Sequence, residues 1–259
     1  MNPNISVSVD LTGWLGEFQR EADAALADLM QIREAAQQKA YASEGTNHKM
    51  GVVTVVLPNM DAAEATAPAR AARTCFLTCI GKFASFLDRL LASQQLMKEG
   101  VKITRNLEGE EQIKAYLDQY MKEKIGQVAR DQKLSNPKKI AAFTGLPPFL
   151  LGAALEYFRL RRALEHHQDI PDQDLNVPIT RIGLFADDQE IEQVPHILHG
   201  GQRLDARIMT ELRIFKAGEK IVLTPEDVYG IIVMLRLNIV PEIFRVHLES
   251  LNPATLGAT

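Results

Sequence analysis

The sequence predicts a mainly helical α+β protein: a bundle of about five long helices with a small antiparallel β element before the last helix. Three observations carry this. Apolar residues recur at three- and four-residue spacing over long stretches, the signature of helices with one buried face. Clear two-residue alternation is confined to the region between Leu175 and Leu223. A strong helix start then follows at Thr224-Pro225-Glu226-Asp227, with a capping threonine, proline at the first helical position and acids in the first turn.

Trp14, Leu15, Phe18, Ala22, Ala25, Leu26, Leu29 and Met30 place a first helix over about Leu11 to Ala40. Gly45, Thr46 and Asn47 make Tyr41 to Met50 a loop, and the β-branched run Val52 to Leu57 an extended segment stopped by Pro58. Pro68 suits the first turn of a second helix over Ala69 to Glu99, whose stripe is Phe76, Ile80, Phe83, Leu87, Leu90 and Leu91 and whose end fits Gly100. Asn106 is placed to cap a third helix through Val128. Asn136-Pro137 opens a shorter one ending at Gly145, and Pro147-Pro148 opens another from Phe149 to about His166.

Leu175, Val177 and Ile179 alternate, then Ile182 and Leu184 alternate one step out of phase, which predicts a strand with a bulge near Thr180-Arg181. Ile191 to Leu198 reads as a second strand. Ile208 to Phe215 and Lys220 to Leu223 read as a hairpin around Ala217-Gly218. The last helix runs from Thr224 to about Leu251, with a kink expected at Pro241 and a frayed tail over 252–259. This divides the chain into residues 1–60, a helical domain over 61–251 with its β insertion at about 174–223, and the tail.

At 259 residues the chain can bury a sizeable core. The formal charge of −4 argues against a protein that coats nucleic acid through bulk positive charge, though not against a local basic cleft. The N-terminus lacks a basic region followed by an apolar core, and the most apolar run, Val228 to Val240, is too short for a bilayer. A cytoplasmic protein is expected. Cys75 and Cys79, one helical turn apart, read as thiols in a reducing compartment rather than a disulfide.

Phosphate-binding glycine loops, dinucleotide fingerprints, metalloprotease helices and nucleophile elbows are all missing. His196-x-x-His199 lacks a surrounding ligand motif, so neither metal nor cofactor is expected. What stands out is Arg159, Arg161, Arg162, His166 and His167 within nine residues at a helix end. Arginine neutralises phosphate and histidine moves protons near neutral pH. Arg162 and His166 lie four apart on one helical face, as do Arg159 and His166 at seven; Arg161 falls on another side of a regular helix. A purely structural role is also open: cations favour helix C-termini, and Glu165 can pair with Arg161. The Arg-x4-His spacing is cheap, with roughly 0.4 copies expected by chance from this composition.

The run Leu160-Arg161-Arg162-Ala163-Leu164-Glu165-His166, followed by Ile170-Pro171, resembles the signature segment of the HEPN superfamily. That signature is an Arg, often a polar residue such as Asn, three variable residues and then His. Arg162 stands at the favoured Asn position, and Gln168-Asp169 stand where a glycine often follows the histidine. His167 permits a second register, Arg162 with His167. The specific match covers about a dozen residues; a weaker architectural likeness extends over about 69–250.

The resemblance implies a homodimeric, metal-independent endoribonuclease, a toxin or defence effector with RNA as substrate and an antitoxin or assembly partner. Arg161 and His166 would be catalytic, with Arg162, His167 and Arg159 holding the RNA backbone. Some members of the superfamily have lost catalysis. The reading from another class is accordingly a non-catalytic helical interaction or assembly protein.

Overall fold

The computed structural model describes the backbone of residues 9–49, 60–101, 109–186, 196–199 and 202–251, and side chains at 9–32, 34, 67–101, 109–181 and 209–251. Its elements are α1 (Leu11–Lys49), α2 (Met60–Glu99), α3 (Glu110–Arg130), α4 (Asn136–Ala141), α5 (Pro148–His166), β1 (Leu175–Ala186), β2 (His196–His199), β3 (Gln202–Phe215), α6 (Pro225–Met234), a π-helical turn (Leu235–Ile239) and α7 (Val240–Leu251). The expected class holds: long helices surround a core, and the small antiparallel sheet precedes the final helical rod.

The core is built on α2. Phe76, Ile80, Phe83, Leu87 and Leu90 recur every three or four residues and are fully buried. Against them pack Phe18 of α1 and Phe158 of α5, the Phe83 and Phe158 rings stacking at 5.5 Å. The second buried rod is α6–π–α7, through Val228, Ile231, Ile232, Leu235, Ile239, Val240 and Ile243.

Several boundaries differ from the sequence reading. Helix α1 continues through Tyr41 to Lys49, where a loop was expected; one glycine and one asparagine cost a helix only about 1 kcal/mol or less each, and no proline intervenes. At its start Asp10 accepts the Gly13 N–H at 2.7 Å, a cap the apolar spacing did not reveal. Val52 to Leu57 lies outside the described residues. Helix α2 begins at Met60 and carries Pro68 inside it, because the alanine-rich segment before the proline is itself a good helix former. Helix α3 starts after Gly109, whose φ of +85° no right-handed helix accommodates; the expected cap, Asn106, lies outside the described residues. Helix α4 stops at Ala141, short of Gly145.

The sheet order is β1-β3-β2, all antiparallel. The β1–β3 register runs unbroken from Leu175↔Phe215 to Ala186↔Leu204, so there is no bulge at Thr180-Arg181. The change of phase has another cause. Leu175, Val177 and Ile179 are buried, and Arg181, next in that phase, pairs with Glu211 at 2.7 Å and Asp227 at 3.1 Å. The inward face thus passes from apolar to ionic while the strand itself stays regular. Residues 191–195 of the expected second strand lie outside the described residues. Lys220 to Leu223 forms no hairpin with β3: the Gly218 N–H donates to the Pro171 carbonyl at 3.0 Å and the Ile221 N–H to the Asp169 carbonyl at 2.7 Å. This segment docks on the turn after α5 instead.

The outer edge of β1 is closed by α5. The Asn176 N–H donates to Glu156 at 3.1 Å and the Tyr157 hydroxyl to the Pro178 carbonyl at 2.7 Å. Pro178 has no N–H to leave exposed on that edge. Helix α6 then presses on the strand at Gly230, where a Cβ would fall 2.5 Å from the Thr180 carbonyl oxygen. Its start is the expected one, with Thr224 as the cap, and the structure adds that Asp227 reciprocates as a capping box. Pro241 lacks an N–H; the π turn precedes it, with the Val240 N–H reaching back five residues to the Leu235 carbonyl. Among the described residues no helix is long and apolar enough to cross a membrane.

Candidate nucleic-acid interface

Helix α5 is anchored by Ala154, Tyr157, Phe158, Leu160, Ala163 and Leu164, all buried. That burial leaves the other phases of its last two turns facing outward. Arg159, Arg161, Arg162, Glu165, His166 and His167 line an open groove of about 800 Å³, whose far wall includes Ser135 and Asn136 before and within α4, and Asp172 and Gln173 before β1. All five basic positions singled out in the sequence therefore lie on one surface.

Their pairing is unequal. The Arg161 guanidinium donates to Glu165 at 2.9 Å, and the His166 Nε2 lies 3.9 Å from the same carboxylate oxygen. On a regular helix Arg161 and His166 do diverge, as the spacing predicts, and Glu165 is what bridges them. Arg159 pairs with Glu156 at 2.5 Å. Arg162, exposed, makes no hydrogen bond or ion pair with any described residue, and His166 is 70 % exposed in its side chain. The His167 N–H donates to the Ala163 carbonyl at 3.1 Å, which ends the helix. The arrangement offers an unpaired guanidinium, an accessible imidazole and a second guanidinium under a carboxylate gate: groups suited to holding a phosphate and moving a proton.

The turn beyond is strained. Gln168 and Asp169 both take left-handed backbone, with φ of +54° and +64°. This is the place where the resembling segments often carry glycine, the residue that adopts such backbone without penalty. Here the conformation is held from outside. Arg73 of α2 donates to the Leu164 carbonyl and lies 2.9 Å from the Asp169 carboxylate, and the Asp169 carbonyl accepts from Ile221. Sequence reasoning missed Arg73. It stands 91 residues from Leu164 and belongs to no local motif.

The remaining candidates are spread elsewhere. Cys75 and Cys79 are free thiols on α2, and burial pushes the Cys79 thiol up to about 12, so it is inert at neutral pH. His196 and His199 lie at the ends of β2, and among the described residues no group of three or more metal-ligating side chains converges. His247 is wholly buried on α7, its Nε2 3.0 Å from the Ser93 hydroxyl. Ser93 gives its own proton to the Leu90 carbonyl at 2.8 Å, so the imidazole donates from Nε2, and burial, which lowers its pKa to about 4, keeps it neutral at pH 7. This serine–histidine pair is sealed in the core and reaches no substrate. No protein-family model matches the chain, and neither a curated protein nor a solved structure is significantly similar to it.

Proposed function

We propose that this chain is a HEPN-like cytoplasmic protein that binds RNA in the groove at the end of α5 and cleaves it without a metal. The observation that carries the reading is that Arg161, Arg162, His166 and His167 line one open groove and His166 is freely accessible. In this mechanism an RNA 2′-hydroxyl attacks the adjacent phosphorus and the bond to the 5′-oxygen breaks. The products are a 2′,3′-cyclic phosphate and a 5′-hydroxyl. His166 takes the 2′-hydroxyl proton or delivers one to the leaving oxygen. Arg161, released from Glu165 as the phosphate arrives, balances the charge building on the phosphoryl oxygens. Arg162, exposed and without an ion-pair partner among the described residues, holds the backbone, with Arg159 and His167 flanking it. A second copy completes the groove, and an antitoxin or assembly partner would hold the activity in check.

The test is incubation of single-stranded RNA with the wild type and with the Arg161→Ala and His166→Ala variants in excess chelator. Cyclic-phosphate products from the wild type, reduced about 100-fold or more in both variants, are expected. Equal cleavage by all three would sink the catalytic assignment. A smaller loss in Arg162→Ala than in Arg161→Ala would fix the register.

One observation favours a second reading, a non-catalytic assembly protein. Arg161 and Arg159 are each closed by a carboxylate of their own helix, and β3 exposes Leu212 and Ile214. A monodisperse oligomer with no nuclease activity, unchanged by His166→Ala, would decide for it.

A further inference from the structure

The two edges of the sheet are finished differently. Helix α5 and Pro178 close the outer edge of β1. On the other side β2 pairs with β3 only over 202–205. From 206 to 214, among the described residues, nothing pairs with the second edge of β3. Side chains 209–214 are all exposed, Leu212 to 60 % and Ile214 to 51 %. An edge of this kind is a template for another strand, and proline and lysine, two usual protections, are absent between Met209 and Phe215.

The register decides which backbone groups that edge presents. On a strand the N–H and C=O of one residue point to the same side, and the side alternates along the chain. The Asn176 N–H and the Pro178 carbonyl point to α5, away from β3. Their partners Ile214 and Leu212 therefore turn their own N–H and C=O groups away from β1, onto the open edge, and Thr210 follows in the same phase. Glu211 and Arg213 stand between them. Glu211 accepts from Arg181 at 2.7 Å and Arg213 lies 3.9 Å from Asp227, yet their side chains remain 53 % and 48 % exposed.

This strand is complementary to itself. In an antiparallel pairing with a two-fold axis at Leu212, Leu212 faces its own copy and Thr210 faces Ile214 of the second copy, and each such pair exchanges both N–H···O bonds. Glu211 then faces Arg213 of the second copy, and Arg213 faces Glu211, in the non-hydrogen-bonded pairs where side chains lie closest. An axis at Glu211 or at Arg213 would set like charges opposite each other, which is destabilising. The order of charges thus selects one register, and a second copy of this chain as the strand that fits it.

We propose that the open edge of β3 pairs with the same edge of a second copy, antiparallel about Leu212, and joins the two sheets into one. This surface is separate from the α5 groove, none of whose lining residues lies on β3, so the inference does not rest on RNA cleavage.

The test is sedimentation of the full chain over a concentration series. The wild type is expected to dimerise with a dissociation constant on the order of 10 μM, as suits a small interface. Leu212→Pro removes an N–H that β1 does not use, and the two-fold axis applies the loss twice; dimerisation is expected to weaken about tenfold or more while the β1–β3 ladder is kept. Glu211→Arg and Arg213→Glu each set like charges across the axis, and each alone is expected to weaken dimerisation about tenfold or more. Mixed in equal amounts, these two variants restore opposite charges and are expected to associate again. If a charge variant does not fold, Leu212→Pro decides alone. A wild type that is monomeric at about 100 μM, association unchanged in Leu212→Pro, or no gain on mixing the folded charge variants would overturn the inference.

Discussion

Two ionic clusters in this molecule use the same residue types to opposite ends. Lys139 of α4 and Asp88 of α2 meet at 2.6 Å with side chains 5 % and 11 % exposed. Arg161, Glu165 and His166 at the end of α5 meet at 2.9 and 3.9 Å with side chains 25 %, 30 % and 70 % exposed. The first pair is desolvated, so neither charge can leave without stranding the other; it fastens α4 to the central helix. The second is wet, so its carboxylate can exchange one cation for another or yield to a phosphate at little cost to the fold. Burial, rather than the identity of the charges, separates the structural cluster from the one available for chemistry.

The comparison breaks first at the buried pair. Lys139→Met leaves Asp88 without its partner and is expected to cost about 3–5 kcal/mol in chemical denaturation. Replacing both partners, Asp88→Leu with Lys139→Met, is expected to recover most of that loss. A single-variant loss below about 1 kcal/mol would mean the pair is wetter than its geometry.

The next largest effect is acid sensitivity from His247. Burial lowers its pKa from 6.5 to about 4. The unfolded chain therefore binds a proton that the folded one refuses between those values, and stability falls as pH drops through that window. The change amounts to about 2–3 kcal/mol. Unfolding measured from pH 7 to pH 4 should show this slope, and His247→Phe should flatten it.

Smaller again is Tyr157→Phe, which removes the donor to the Pro178 carbonyl at the edge of β1 and is expected to cost about 1–2 kcal/mol by thermal or chemical denaturation. Smallest is Glu165→Gln: stability is expected to change by less than about 1 kcal/mol. RNA binding should tighten, because Arg161 is released, and a filter-binding titration reads this directly.

What the sequence revealed divides along the same line of locality. Helix α5 and the start of α6 at Thr224 were legible because their signals lie within a few residues: paired prolines before one, a threonine and two acids at the other. The start of α2 and the supposed hairpin at Ala217-Gly218 were not. Pro68 is a helix-start signal that eight preceding helical residues override, and Gly218 and Ile221 spend their N–H groups on Pro171 and Asp169, about fifty residues earlier. At the site, the Arg161–Glu165 pair follows from spacing. The brace of Arg73 on the left-handed Gln168-Asp169 turn is a tertiary contact that no local pattern encodes.

The central claim is that the exposed cluster performs chemistry the buried one cannot. The most direct measurement is the initial rate of RNA cleavage in chelator by the wild type and by His166→Ala, with both confirmed equally stable by denaturation. The account predicts 2′,3′-cyclic phosphate ends from the wild type and a loss of about 100-fold or more in the variant. Cleavage at the same rate by both, or none by the wild type, would contradict it.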